Sequence, residues 1–188
     1  MTAQRRRKTR WLSVLLALLA TGFLVVMALT GKLSETRQLA KFEARGVLRL
    51  PPEQIHQVAL HCGAHAATFV RTPTGGWARS DTQEAVSDDL RSHLNEAVFF
   101  MHTAGPVRVM QRAEYAGTPR QAFGLEPPRC TVKLSTRDRM ILETAFGAYN
   151  PQDILQYMQL SDSDDVYLMS RFVGQAWEHL GEHLHNHP

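Results

Sequence analysis

The chain of 188 residues is 44% hydrophobic and 21% charged, a balance typical of folded proteins that excludes a disordered or low-complexity chain. Its formal net charge of +3 is concentrated at one end, because the first ten residues hold five cations and no acid. The other 16 Lys and Arg stand against 18 Asp and Glu, and this body charge of −2 argues against a nucleic-acid-binding domain, which needs cations clustered on its folded surface.

The N-terminus has the pattern of a membrane anchor. Residues 11–30 contain no charged side chain, and twenty helical residues at 1.5 Å each span about the 30 Å hydrocarbon core of a bilayer. A cleaved signal peptide is the competing interpretation, but it has a shorter apolar region and a small-residue cleavage site that this segment matches poorly. We therefore expect an uncleaved transmembrane helix over 11–30, with the lipid bilayer as its partner. Its anchoring residues are Trp11, Leu15, Leu19, Phe23 and Val26.

The basic run before this segment predicts its orientation. The cations are Arg5, Arg6, Arg7, Lys8 and Arg10. Positive charge next to a span favours the cytoplasmic side, so residues 1–10 form a cytoplasmic tail and the rest of the chain faces the periplasm. The expected localisation is the bacterial inner membrane, with a single pass.

A juxtamembrane stalk is expected over residues 31–52. The Pro51–Pro52 step cannot continue a helix, and it is taken as the boundary of a periplasmic domain over 53–188.

Within the domain, hydrophobic residues recur at every second position in some segments and at helical spacing in others. Period-two segments predict strands at Ile55–Cys62, Thr68–Arg71, a short one from Trp77, Val107–Met110, Cys130–Leu134, Met140–Phe146, Ile154–Leu160 and Val166–Met169. A helix is predicted after the N-cap Ser87, with Leu90, Leu94, Ala97 and Met101 on one stripe. A second helix carries Val173, Trp177, Leu180 and Leu184. This order predicts an α+β fold in which antiparallel sheets are each covered by a helix.

Several of these segments resemble one known family. The Gly75-Gly76-Trp77 turn, the Phe-Gly-Leu-Glu-Pro-Pro run at 123–128, the strand ending at Gly147, and the strands with Tyr157 and Tyr167 are similar to the pattern of DUF4340 domains over about residues 53–171. The resemblance implies a membrane-anchored extracytoplasmic domain of a kind sometimes associated with ABC-type transport or gliding systems. It brings no catalytic residues. This chain has a single copy of the pattern, which makes an accessory subunit of another membrane assembly an equal alternative.

Cys62 and Cys130 are the two cysteines, and each falls on the apolar face of its predicted strand. An even count in an oxidising compartment permits a disulfide, so the pattern fits either two buried thiols or one bridge across the core.

The C-terminal histidines are the strongest metal-like signal. His179 and His183 lie one turn apart on one helical face, and with Glu182 they match the H-x-x-E-H pattern of inverted zinc peptidases. Gly181 weakens that helix, and a solvated histidine-rich terminus is the plain alternative. No nucleophile elbow, P-loop or dinucleotide fingerprint is present in the sequence, and we expect neither catalysis nor a cofactor.

Phe99 lies off the stripe of its helix, which marks it as a candidate exposed contact. The sequence therefore predicts a non-enzymatic, membrane-anchored accessory subunit that binds other membrane protein subunits and no nucleic acid. The alternative is a ligand- or metal-binding periplasmic module associated with an ABC-type transporter or an oxidoreductase.

Overall fold

The computed structural model describes residue 11, residues 15–26 and residues 45–186, and the environments of side chains as far as Leu184. The chain divides into two compact units, Met1–Glu43 and Ala44–Pro188. The predicted tail residues Arg5, Arg6, Arg7, Lys8 and Arg10 lie outside the described residues, and so does most of the predicted stalk.

The described part of the first unit is helical. Residues 15–26 form helix α1, and its large apolar side chains are exposed, Leu19 and Phe23 each by 64%. The Thr21 hydroxyl donates to the Ala17 carbonyl at 2.9 Å, one turn earlier. Among the residues that the structure describes, no helix is both long enough and apolar enough to cross a membrane.

The second unit is an α+β domain with one eight-stranded antiparallel sheet. The strands are β1 (Gln57–Cys62), β2 (His65–Arg71), β3 (Trp77–Arg79), β4 (Arg108–Met110), β5 (Cys130–Ser135), β6 (Met140–Tyr149), β7 (Leu155–Leu160) and β8 (Val166–Ser170). Their order in the sheet is β3-β2-β1-β5-β6-β7-β8-β4. The two edge strands, β3 and β4, are each three residues long.

Both helices of the domain pack on the same face of this sheet. They are α2 (Asp88–Thr103) and α3 (Arg171–Asn186). Their buried side chains share one core with Val58, Val132 and Met158 of the sheet. The expectation of sheets each covered by a helix is therefore wrong in detail, because the strands of both halves join into a single sheet and the two helices lie side by side on it. Ser87 is the N-cap of α2, as predicted, since its hydroxyl accepts the Leu90 N–H at 3.2 Å.

The folded domain begins before the Pro51–Pro52 step. The N–H of Gly46 donates to the His102 carbonyl and the N–H of Leu48 to the Met101 carbonyl, each at 2.9 Å. These two carbonyls lie in the last turn of α2, where no intrahelical N–H reaches them. Leu48 is also buried in the main core. The predicted boundary between a stalk ending at residue 52 and a domain starting at 53 is therefore too late.

The long connection between β4 and β5 covers part of the second face of the sheet. It contains two 3-10 helices, Arg112–Tyr115 and Arg120–Phe123, and its Tyr115, Phe123 and Leu125 form a small second core with Val166. Gly124 has a left-handed φ of 63°, and a Cβ there would lie 2.6 Å from the Ala148 backbone nitrogen. The Phe-Gly-Leu segment therefore packs its backbone directly against the backbone of β6.

Candidate functional site

A disulfide joins Cys62, the last residue of β1, to Cys130, the first residue of β5. The two residues are direct partners across β1 and β5, with their Cα atoms 4.1 Å apart. Helix α3 passes over this pair at Gly181, where a Cβ would lie 2.7 Å from the Cys62 Cβ. Gly181 lowers the helix propensity of this segment, but a glycine is required here because α3 approaches the sheet closely.

A polar network lies beside the disulfide, centred on the partly buried carboxylate of Glu178 on α3. Arg129 donates to its two oxygens at 2.7 and 3.2 Å, the Tyr149 hydroxyl donates at 2.7 Å, and the Gln156 amide donates at 2.9 Å. The Arg129 guanidinium also lies over the Tyr149 ring, 5.1 Å from its centroid. The four side chains come from different parts of the chain, so the network joins the residue before β5, the end of β6, β7 and the helix.

The network changes the protonation of its members. Burial alone would raise the pKa of Glu178, but the hydrogen bonds from Arg129, Tyr149 and Gln156 outweigh it and hold the pKa below its ordinary value. Burial, and then the hydrogen bond to the Glu178 carboxylate, raise the pKa of Tyr149 to about 12. Glu178 is therefore ionised and Tyr149 neutral near neutral pH, and both are held by their partners in a way that suits a structural role.

Helices α2 and α3 run antiparallel to each other, since contacts join the start of each to the end of the other. At one end, the Phe100 and Phe172 rings meet edge to face with centroids 4.9 Å apart, and Phe99 stands 6.5 Å from Phe100. Phe99 is 50% exposed and Phe172 is 46% exposed. We call Phe99, Phe100 and Phe172 the aromatic patch.

A groove runs beside the aromatic patch, between α2 and the 3-10 helix Pro52–Gln54. Charged side chains at the groove are Glu53, Arg71 and Glu96. An apolar centre with a polar rim is the usual composition of a protein-binding surface. The exposure of Phe99 agrees with its predicted position off the helix stripe.

The opposite end of the helix pair holds a cluster of histidine and aspartate. His183 of α3 faces Asp89 and His93 of α2, and one ligand atom from each of the three lies within 4.8 Å of the others. The other predicted ligand, His179, is exposed and is not part of this cluster. Sequence reasoning missed Asp89 and His93, although their spacing of one helical turn is a usable signal for two ligands on one face.

Comparison of the chain with protein-family models, with curated proteins and with solved structures gave no significant match in any of the three searches. The resemblance to DUF4340 stays a prediction.

Proposed function

We propose that the chain is a single-pass, membrane-anchored accessory subunit. Its N-terminus lies in the cytoplasm, and its periplasmic domain binds and stabilises a larger membrane protein complex. The observation that carries the proposal is the aromatic patch, where two phenylalanines are about half exposed on a domain that has already buried two tryptophans. Exposed aromatic side chains that cluster are typical of protein-binding surfaces.

The anchor rests on the uncharged segment 11–30 and on the helical form of residues 15–26. The Thr21 hydroxyl bonds within that helix, which lowers the cost of placing it in lipid. The proposed side of the membrane rests on the basic run at residues 5–10 and on the disulfide. Disulfides persist in oxidising compartments such as the periplasm and are rare in the cytosol.

The topology is tested with two reporters fused after residue 188 in bacterial cells. We expect activity from alkaline phosphatase, which needs an oxidising compartment, and none from a reporter that works only in the cytoplasm. The reverse pattern would overturn the orientation, and release of the fusion by carbonate washing would overturn the anchor.

Docking at the aromatic patch is tested by site-specific photocrosslinking in intact membranes. A photoreactive residue at position 99 should form a covalent adduct with one membrane protein. The matched control carries the same group at position 140, because Met140 is exposed to a similar extent, by 52%, but lies at the start of β6. Equal crosslinking from both positions, or none from position 99, would contradict docking at the patch.

A pair of substitutions then measures the contribution of the patch. Phe99→Ser with Phe172→Ser should remove the partner from the detergent-purified protein, whereas Met140→Ser should retain it. Near-UV circular dichroism checks that both proteins are folded. If the unaltered full chain purifies alone and monodisperse from gently solubilised membranes, the accessory role is wrong.

A further inference from the structure

We propose that Asp89, His93 and His183 form a binding site for a divalent transition metal ion of the zinc class. The site lies at the opposite end of the helix pair from the aromatic patch, so it does not depend on the proposed docking role. Asp89 and His93 project from one face of α2, one turn apart, and His183 projects from the last turn of α3. A bound ion would therefore connect the two helices.

Two of the three distances between the ligand atoms are close to those of an occupied site, and the third is at most 4.8 Å. The His183 Nε2 lies 3.6 Å and the His93 Nδ1 lies 3.7 Å from the same Asp89 Oδ2. Zinc holds nitrogen and oxygen ligands at roughly 2.0–2.1 Å in tetrahedral geometry, which separates them by about 3.3 Å. Each of these two distances needs to shorten by only a few tenths of an ångström, within the reach of small side-chain rotations.

The side chains also have donor atoms available. The His93 Nδ1 is shielded from solvent and forms no hydrogen bond with any described residue. All three side chains are partly exposed, between about a third and two thirds, which leaves a path for an ion to enter and room for water as a further ligand. Two imidazoles and one carboxylate suit zinc, copper, nickel or iron better than calcium or magnesium, which prefer oxygen ligands alone.

The electrostatic setting is compatible with a cation. The positive N-terminal end of the α2 dipole faces the site and disfavours a cation there, but the negative C-terminal end of α3 lies beside it. Asp88 and Asp89 add two carboxylates in the first turn of α2. Asp88 is paired with Arg91 at 2.9 Å, whereas the carboxylate of Asp89 faces the two histidines.

The test is a zinc titration of the purified full chain in detergent, followed by competition with a chromogenic chelator and by substitution with Co²⁺. We expect one equivalent to bind, a higher midpoint of thermal unfolding, and visible Co²⁺ absorption of the intensity that a tetrahedral site gives. His93→Ala and Asp89→Ala should each weaken binding by at least about tenfold, the lower end of what even an outer-shell partner contributes.

Two controls separate this site from metal held by other histidines. His179→Ala removes an exposed histidine one turn from His183, and a variant with His185→Ala and His187→Ala removes the terminal pair. Both should bind zinc like the unaltered chain. If either control abolishes binding, or if His93→Ala leaves both stoichiometry and affinity unchanged, the proposed site is wrong and the metal is held by the terminal histidines. The absence of any equivalent bound to the unaltered chain would also overturn it.

Discussion

Reducing the disulfide between Cys62 and Cys130 should change the stability of the domain by a large and measurable amount. The two residues are 68 positions apart in sequence, so the link closes a long loop of the unfolded chain. In the chain-entropy description a loop of that length is worth about 4 kcal/mol of unfolding free energy at 25 °C, at the upper end of the range usually measured. With a urea dependence of about 2 kcal/mol per molar, the midpoint should fall by roughly 2 M.

Urea unfolding of the full chain in detergent measures this shift. The buried Trp77 and Trp177 report loss of the domain's core by fluorescence. Reduced wild-type protein isolates the effect of the covalent link, because its thiols keep nearly the volume of the oxidised pair. The Cys62→Ala, Cys130→Ala protein adds the cost of two small cavities, so it should unfold at still lower urea. If oxidised and reduced wild type unfold within about 0.5 M of each other, the entropic argument fails for this domain.

Three further predictions concern packing and charge. Glu178→Gln should make the stability of the domain less sensitive to acid. The lowered pKa of Glu178 contributes stability that is present above the ordinary pKa of 4.5 and is lost as the pH falls through the lowered pKa. Urea midpoints measured across this pH range check the prediction. Gly181→Ala should lower the free energy of unfolding by about 1–3 kcal/mol, because the new Cβ would meet Cys62. The higher helix propensity of alanine offsets about 1 kcal/mol of this loss, and urea unfolding measures the net change. Leu48→Ala should cost about 2–5 kcal/mol in the same assay, because Leu48 is a core residue and not part of a stalk.

The Glu178 and Leu48 substitutions each have a neighbouring control. Glu182→Gln changes an exposed carboxylate on the same helix and should leave the acid profile as it is. Arg49→Ala removes an exposed side chain next to Leu48 and should change stability by no more than about 0.5 kcal/mol. Equal losses from Leu48→Ala and Arg49→Ala would mean that the domain starts later than Gly46. A Gly181→Ala protein that is more stable than the unaltered chain would mean that α3 can move away from the disulfide.

The elements of the domain could be predicted from the sequence because each has a local signal. Ser87 as an N-cap indicates the start of α2, and the spacing of Val173, Trp177, Leu180 and Leu184 identifies the buried face of α3. The strands followed from alternation. These signals act over a few residues, where backbone geometry alone decides which side chains share a face.

The arrangement of those elements in the fold could not be predicted from such local signals. That β1 pairs with β5, and that both helices share one face, depends on contacts between segments far apart in the chain. For the same reason the sequence places Leu48 in a stalk, because its backbone N–H bonds the Met101 carbonyl near the end of α2, far along the chain. The histidine cluster combines two residues of α2 with one from α3, and of the three only His183 belongs to a metal-like sequence pattern.

The short edge strands limit how another chain can bind this domain. A peptide that extends a sheet needs a long row of free backbone donors and acceptors at the edge. Here β4 offers three residues, and β3 is covered along its outer side by the chain that follows it, through the Val86 N–H to the Trp77 carbonyl and the Arg79 N–H to the Glu84 carbonyl. A partner of the kind proposed above would therefore have to be recognised through side chains, and its specificity could change by surface substitution without disturbing the sheet. Copies of the domain at high local concentration would also have little tendency to join edge to edge.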